Sequence, residues 1–482
     1  MKPKTTNHWF ILALLATAQF MVVLDVSIVN VMLPTVQHAF HLTESNLQWI
    51  VTAYTITFGG FLLLGGRAAD LFGRRRVFLT GIAVFAIVSL LDGLSQSGGM
   101  LIALRAFQGL AGAFMSPAAL SIVLVTYKEG HERNLALSVW GAVASGGAAV
   151  GVLLGGILTQ YLGWRWNFFI NVPVGLFVLI AASRLVPKHE SEETHNSLDL
   201  PGAISVTAGL MLLVYGLVKA PTDGWTAHTT LTYFIISAIL FILFIINEKR
   251  AAHPLVPLSI FKIRNVAGGD LIQLFVAASL FSVFFFASLY FQEVLLYSPV
   301  RTGLSFLVVP IAIAIAATNA PRLIKRVGFK PLLVFAPLLT AIGLYILAHI
   351  TVQGGYFAHV MPGLIIMGFG LGLTFVSLLV AATSGVAPQL SGLASGLITT
   401  SQQVGGSLGL AVLAGIVASS TARYITNAHS LSPLTQAAGA VHAFHIAFYF
   451  AAGFAVMASI LALIIIKQKK IPIDSPVGTG AL

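Results

Sequence analysis

The chain has no cysteine, and only 9% of its 482 residues are Asp, Glu, Lys or Arg. The first absence excludes disulfides, thiolate nucleophiles and cysteine-ligated metal, and leaves redox function without its usual chemistry. The second excludes a soluble domain, which would carry roughly 25% charged residues. Acidic residues are the scarcer sign, 15 against 26 Lys and Arg, for a formal net charge of +11. In a soluble chain that balance would suggest a nucleic-acid partner. In a chain this poor in charge, basic residues gather in the loops on one side of a membrane, and no nucleic acid is expected.

What the sequence does have is apolar length. Hydrophobic residues make up 57% of it, with a mean hydropathy of +0.93. A spanning helix needs about 20 apolar residues. Suitable runs lie near 9–33, 46–65, 77–97, 100–126, 135–160, 165–186, 199–219, 229–247, 265–296, 301–320, 330–350, 356–383, 391–420 and 441–467. The first follows Lys2 and Lys4 and has the look of a secretory leader, but it is too long, carries Asp25 and Asn30, and lacks a small-residue cleavage site. It reads as a span. The expectation is an all-α integral membrane protein of fourteen helices: a six-helix bundle over 1–186, a linker with two extra helices over 187–264, and a second six-helix bundle over 265–482.

Charge placement tests that count, because a wrong number of helices would scatter basic residues over both sides. With the N-terminus inside, only Arg165, Lys219, Arg301 and Arg423 fall outside, and Arg105 alone lies within a span. Both termini are therefore expected in the cytoplasm and the protein in the cell membrane. An internal repeat supports two related halves. Arg67, Gly73 and Arg75 recur as Arg322, Gly328 and Lys330, and Gly146 and Gly147 as Gly405 and Gly406.

Asp25 is the most informative charge. A carboxylate inside a hydrocarbon span costs several kcal/mol unless it is paired, hydrated or protonated. Such a group either sits in a static buried ion pair or takes and releases a proton as its surroundings alternate. Arg105 is its natural partner. At 1.5 Å per residue the two lie at similar depths, roughly 13 and 8 Å from the outer ends of their spans. Between the second and third spans runs Gly65-Gly66-Arg67-Ala68-Ala69-Asp70-Leu71-Phe72-Gly73-Arg74-Arg75-Arg76. Its glycines permit a tight turn and close helix approach, and Asp70 among arginines suits a charge-assisted lock on one conformation.

That stretch resembles the signature loop of the major facilitator superfamily. Leu24-Asp25-Val26-Ser27-Ile28-Val29-Asn30-Val31-Met32-Leu33-Pro34 is similar to the first-helix motif of that superfamily's fourteen-helix drug:proton antiporter branch. Arg105-Ala106-Phe107-Gln108-Gly109 resembles its fourth-helix arginine motif, and Trp164-Arg165-Trp166-Asn167-Phe168-Phe169-Ile170-Asn171-Val172-Pro173 the start of its sixth helix. The second half is matched thinly, through Gln402-Gln403-Val404-Gly405-Gly406. The resemblance implies proton coupling by Asp25 and Arg105, and control of alternating access by Gly66, Asp70, Gly73 and Arg74. In one place the sequence departs from the branch: Ala148 and Val152 stand where its fifth-helix motif usually carries prolines. Gly147, Gly151 and Gly155 remain, at a four-residue spacing that suits close helix packing.

Gly405-Gly406-Ser407-Leu408-Gly409 matches the hydrolase nucleophile elbow in letters only, since that motif needs a strand before the serine and this one lies in an apolar helical run. No nucleophile with a base and no metal cluster stands within the spans, so neither an enzyme nor a cofactor is expected. His442 and His445 either relay protons or face interface groups. Asp92, Asp270 and Glu293 are read as solvated at span ends, with Glu293 the best placed of them to bind a cationic substrate, and Asn30 is a further candidate substrate or proton site. Trp49, Trp164, Trp166 and Trp225 read as interface anchors. The expected function is proton-coupled export of hydrophobic or cationic amphipathic compounds by a monomer through a midplane cavity. The alternative is an exporter of one metabolite or lipid on the same fold.

Overall fold

The computed structural model describes residues 8–127, 131–187, 198–387, 390–428 and 432–468. Both chain termini, and most of the polar stretch 187–197, lie outside the described residues. Among those described, fourteen helices are long and apolar enough to span a membrane, as expected: α1 His8–Phe40, α2 Glu44–Phe72, α3 Arg74–Gly93, α4 Gly98–Thr126, α5 Leu135–Tyr161, α6 Trp166–Leu185, α7 Leu200–Ala220, α8 His228–Arg250, α9 Arg264–Val294, α10 Pro299–Val327, α11 Phe329–Leu347, α12 Tyr356–Thr383, α13 Ser391–Ala428 and α14 Leu434–Ile465.

Several helices start on side chains that accept a hydrogen bond from a first-turn amide otherwise left without a partner. Ser97, Asp199, Ser298 and Ser432 do this for Met100, Gly202, Arg301 and Thr435. The helices also outrun the apolar runs, because a charged or polar final turn forms normally once it reaches water. α1 gives the clearest correction. The apolar run near 9–33 stops at Pro34, the outer boundary it predicts, yet the helix continues through that proline to Phe40. A proline supplies no N–H to the carbonyl four residues earlier. That carbonyl belongs to Asn30 and accepts instead from Ser288 Oγ of α9, at 2.7 Å.

The two halves are built alike. α1 packs on α5 and α2 on α4 in the first; α9 packs on α13 and α10 on α12 in the second. The repeated glycines sit at equivalent places. Gly147 abuts Val23 and Phe20 of α1, while Gly405 and Gly406 abut Leu274 and Phe281 of α9. Gly73 and Gly328 both end a helix with positive φ, at 91° and 88°, a region that side chains rarely enter.

The halves meet where α2 crosses α13, α5 crosses α10 and α1 crosses α9. Thr55 Oγ1 lies 2.6 Å from Ser407 Oγ, Val300 N donates to Gln160 Oε1 at 3.2 Å, and Gln292 Nε2 donates to the Val31 carbonyl at 2.8 Å. The two extra helices lie across this seam. Leu210, Val214 and Val218 of α7 cluster with Ile56 of α2 and Ala411 of α13. α8 packs behind α7 and turns Ile235, Ile239, Ile242 and Ile246 outward.

Candidate functional site

Asp25 and Arg105, on α1 and α4, are in contact. Arg105 NH1 stands 2.5 Å from Asp25 Oδ2, and the two residues are 1% and 0% exposed. Both partners are further held. Asp25 Oδ1 accepts from Gln108 Nε2 and Asn171 Nδ2, each at 3.0 Å. Arg105 donates through Nε to the Ile50 carbonyl at 3.1 Å and through NH1 to Gln108 Oε1 at 2.5 Å. Its guanidinium lies 4.3 Å from the centre of the Tyr54 ring, a cation–π contact made stronger by exclusion of water. Gln108 Nε2 also donates to Ser89 Oγ at 2.8 Å, bringing in α3. Five helices thus meet in one network around the Asp25–Arg105 pair, and burial of the charge is matched by pairing and hydrogen bonds. The packing is tight enough to fix this register: a side chain at Gly109 would run into Thr57 Oγ1 and the Tyr54 carbonyl.

Gln108, Ser89 and Asn171 were not singled out in the sequence. Gln108 and Asn171 stand inside the arginine-motif and sixth-helix stretches, where a neutral amide deep in a span was the available signal. Its meaning depends on which helices meet there.

Beside this node a cavity of about 1300 Å³ runs between the halves. α1 serves both. Val22, Val26, Ser27 and Asn30 line the cavity, while Asp25 faces the node and does not. Ala148 and Val152, at the positions of the absent prolines, are also on the cavity wall, in an uninterrupted helix. Gly66, Arg67 and Asp70 line its mouth, together with His253 from the α8–α9 loop and Gly392 from the first turn of α13. The opening is therefore on the side that carries most of the basic residues, and the seam contacts of α1, α5 and α9 close the other end. In this state Asp70 pairs with Arg74 one turn on, at 3.5 Å and half exposed. Arg75 donates to the Ser183 carbonyl of α6, tying the loop to its own bundle.

The remaining candidates lie apart from the cavity. Glu293 is partly buried at the far end of α9. His442 is exposed against Tyr424, ring centres 5.4 Å apart, and His445 Nε2 contacts the Ile350 carbonyl at 2.5 Å. Two acids expected in solvent are not there: Asp92 is 0% and Asp270 8% exposed, because α3 and α9 turn these positions toward neighbouring helices rather than the span ends. Trp164 is also buried, between Phe40 and Phe168, while Trp166 and Trp225 are exposed. Ser407 sits mid-helix in α13, bonded to Thr55 and to the Gln403 carbonyl, with no elbow around it.

The Major Facilitator Superfamily model matches residues 15–410. Puromycin resistance protein pur8 of Streptomyces alboniger is 38% identical over 96% of this chain and 92% of its own length. The cephamycin export protein CmcT of Amycolatopsis lactamdurans is 38% identical over 87% of each. Among solved structures, an auto-inhibited POT family peptide transporter superposes with a TM-score of 0.72 at 13% identity, over 98% of this chain and 99% of that one. A bacterial Spinster homologue, inward-facing and occupied, superposes with a TM-score of 0.68 at 14% identity, over 96% and 97%.

Proposed function

Since the chain belongs to the Major Facilitator Superfamily, and is accordingly a membrane transporter rather than an enzyme, we propose that it exports amphipathic, antibiotic-like compounds in exchange for protons. One observation carries this reading: the buried Asp25–Arg105 pair and the cavity wall are two faces of the same helix. Movement of α1 against α5 and α9 alters both at once. When the cavity closes on cargo, α1 shifts relative to α4 and α6, and the donors around Asp25 are drawn away or restored. Protonation of Asp25 neutralises one half of the pair and frees Arg105 to keep its bonds to Gln108 and Ile50. The antibiotic-export relatives support the choice of cargo.

The mouth of the cavity suits the gating role of the loop. Asp70 and Arg74 pair weakly in the open state and are placed to find stronger partners when the halves close on that side. Gly73 provides the turn, and Gly66 leaves the cavity lip bare of a side chain. Gly147, Gly151 and Gly155 let α5 slide along α1 at backbone distance. We assign the protein to the cell membrane as a monomer with both termini cytoplasmic, its bundles dividing at about residues 186 and 264 as the sequence suggests. Glu293, His442 and His445 lie at the closed end and serve there only as reserve proton sites.

The names of relatives such as the cephamycin exporter favour a second reading, export of one natural product. Uptake into inside-out proteoliposomes under an imposed pH gradient, against a panel of dyes, antibiotics and lipids, decides both points. Gradient-driven movement of at least one amphiphile is expected, with many unrelated competitors if the pump is polyspecific. Flux indifferent to the gradient would sink proton exchange.

A further inference from the structure

The cavity's charges are confined to its mouth. Arg67, Asp70 and His253 lie at the rim, and beyond them the wall is neutral. Its polar groups are amides and hydroxyls, among them Gln19, Asn30, Ser116 and Gln403; its bulk is aromatic and aliphatic, with Phe58, Phe281 and Phe375. Among the described residues no carboxylate but Asp70 lines it. Asp25 is withheld: both of its oxygens are engaged by Arg105, Gln108 and Asn171, and it is 0% exposed.

Within that neutral wall most polar groups already have partners. Ser116 donates to Gln19 at 2.8 Å, Ser27 to the Val23 carbonyl at 2.9 Å and Asn30 to the Val26 carbonyl at 3.0 Å. Gln403 differs. It is 9% exposed, lines the cavity, and its side-chain oxygen has no hydrogen-bond partner. Gly59 of α2 lies against its Cβ and leaves the side chain little room to withdraw. A buried amide without a partner is costly, and that cost is recovered when a ligand supplies the missing group.

From the neutral wall and the unpartnered Gln403 we infer that the cargo is recognised as an uncharged amphiphile, an aromatic or aliphatic body bearing a neutral hydroxyl or amide that hydrogen-bonds Gln403, and that fixed cations are rejected. This rests on the export reading above and narrows its cargo. A quaternary ammonium at this depth would lose its water with no carboxylate to replace it. An uncharged hydroxyl or amide loses less and gains Gln403 as a partner.

The test uses the full-length protein and matched amphiphile pairs on one aromatic scaffold, the first member bearing a hydroxyl or primary amide, the second a quaternary ammonium at the same atom. Binding is measured in detergent without a gradient, and export separately in proteoliposomes with one. The uncharged members should bind at least about tenfold tighter, a difference of 1.4 kcal/mol. Gln403→Leu should erase the parent's preference for the hydroxyl compound over its O-methyl ether. Gln403→Glu should raise affinity for the quaternary member by about tenfold or more. Equal or tighter binding of the quaternary compounds by the parent, or an unchanged ether preference in Gln403→Leu, overturns the inference. Loss of gradient-driven export with the binding preference intact would sink proton exchange and leave cargo recognition standing.

Discussion

Asp25 is held by three side chains from two other helices, and this shapes what its replacement should do. Asp25→Asn keeps the size of the side chain and an oxygen for the Gln108 and Asn171 amides, and removes the acid. Gradient-driven export should vanish while substrate binding and downhill exchange persist. Substrate-induced proton release from detergent-solubilised protein near neutral pH provides the direct check; as many protons from Asp25→Asn as from the parent would move the coupling to another residue. The ion pair was legible in the sequence because an acid and a base in otherwise uncharged spans have no cheap alternative to each other. The amides were harder to see. Gln108 and Asn171 carry no charge that forces a partner on them, and their convergence depends on how α1, α4 and α6 cross.

Helix contacts bring glycine into play. A Cβ at Gly155 would lie 2.9 Å from Ile28 Cγ1 and 3.0 Å from the Ile28 carbonyl oxygen, whereas one at Gly146, on the same helix, would meet nothing within 4 Å. Gly155→Val should therefore cost about 1–3 kcal/mol through overpacking of α5 against α1, read as a lower midpoint in thermal unfolding, and Gly146→Ala should be near neutral. Equal midpoints for the two would show that α5 and α1 do not need their close approach. The small-residue spacing over Gly147, Gly151 and Gly155 announced such a face in the sequence, and the 259-residue recurrence at Gly405 and Gly406 announced its counterpart. Pro34 misled, because a proline that usually ends a helix is tolerated where another helix satisfies the freed carbonyl.

For the whole molecule, the state seen here is open on the basic side and sealed on the other. The absence of cysteine makes this directly testable. At the sealed end the Val300 backbone amide of α10 bonds the Gln160 side chain of α5. With Gln160→Cys and Val300→Cys in one chain, an oxidant should form a disulfide that stops export, and a reductant should restore it. Undiminished transport after complete cross-linking would mean that this end never parts. The fourteen helices were legible because the length of a span is set by the bilayer itself. The location of α7 was not. Its apolar face suits lipid or protein equally well, and only the finished assembly shows Leu210, Val214 and Val218 against both bundles.

That location changes what the covalent link between the bundles is for. If the extra helices were a passive tether, cutting the chain ahead of them would leave two bundles meeting only at the mutual concentration of free partners, instead of the raised effective concentration of a linked pair. α7 instead travels with the second bundle and brings its own docking face for α2, including Thr207 tucked against Gly60. Residues 1–187 and 198–482, made as two polypeptides in the same cell, should therefore complement each other and co-purify without the peptide bonds between them. Replacing Val214 and Val218 with Ser should abolish that rescue while sparing the unbroken chain. In that sense the protein carries the means of its own assembly from parts, with α7 as the clasp.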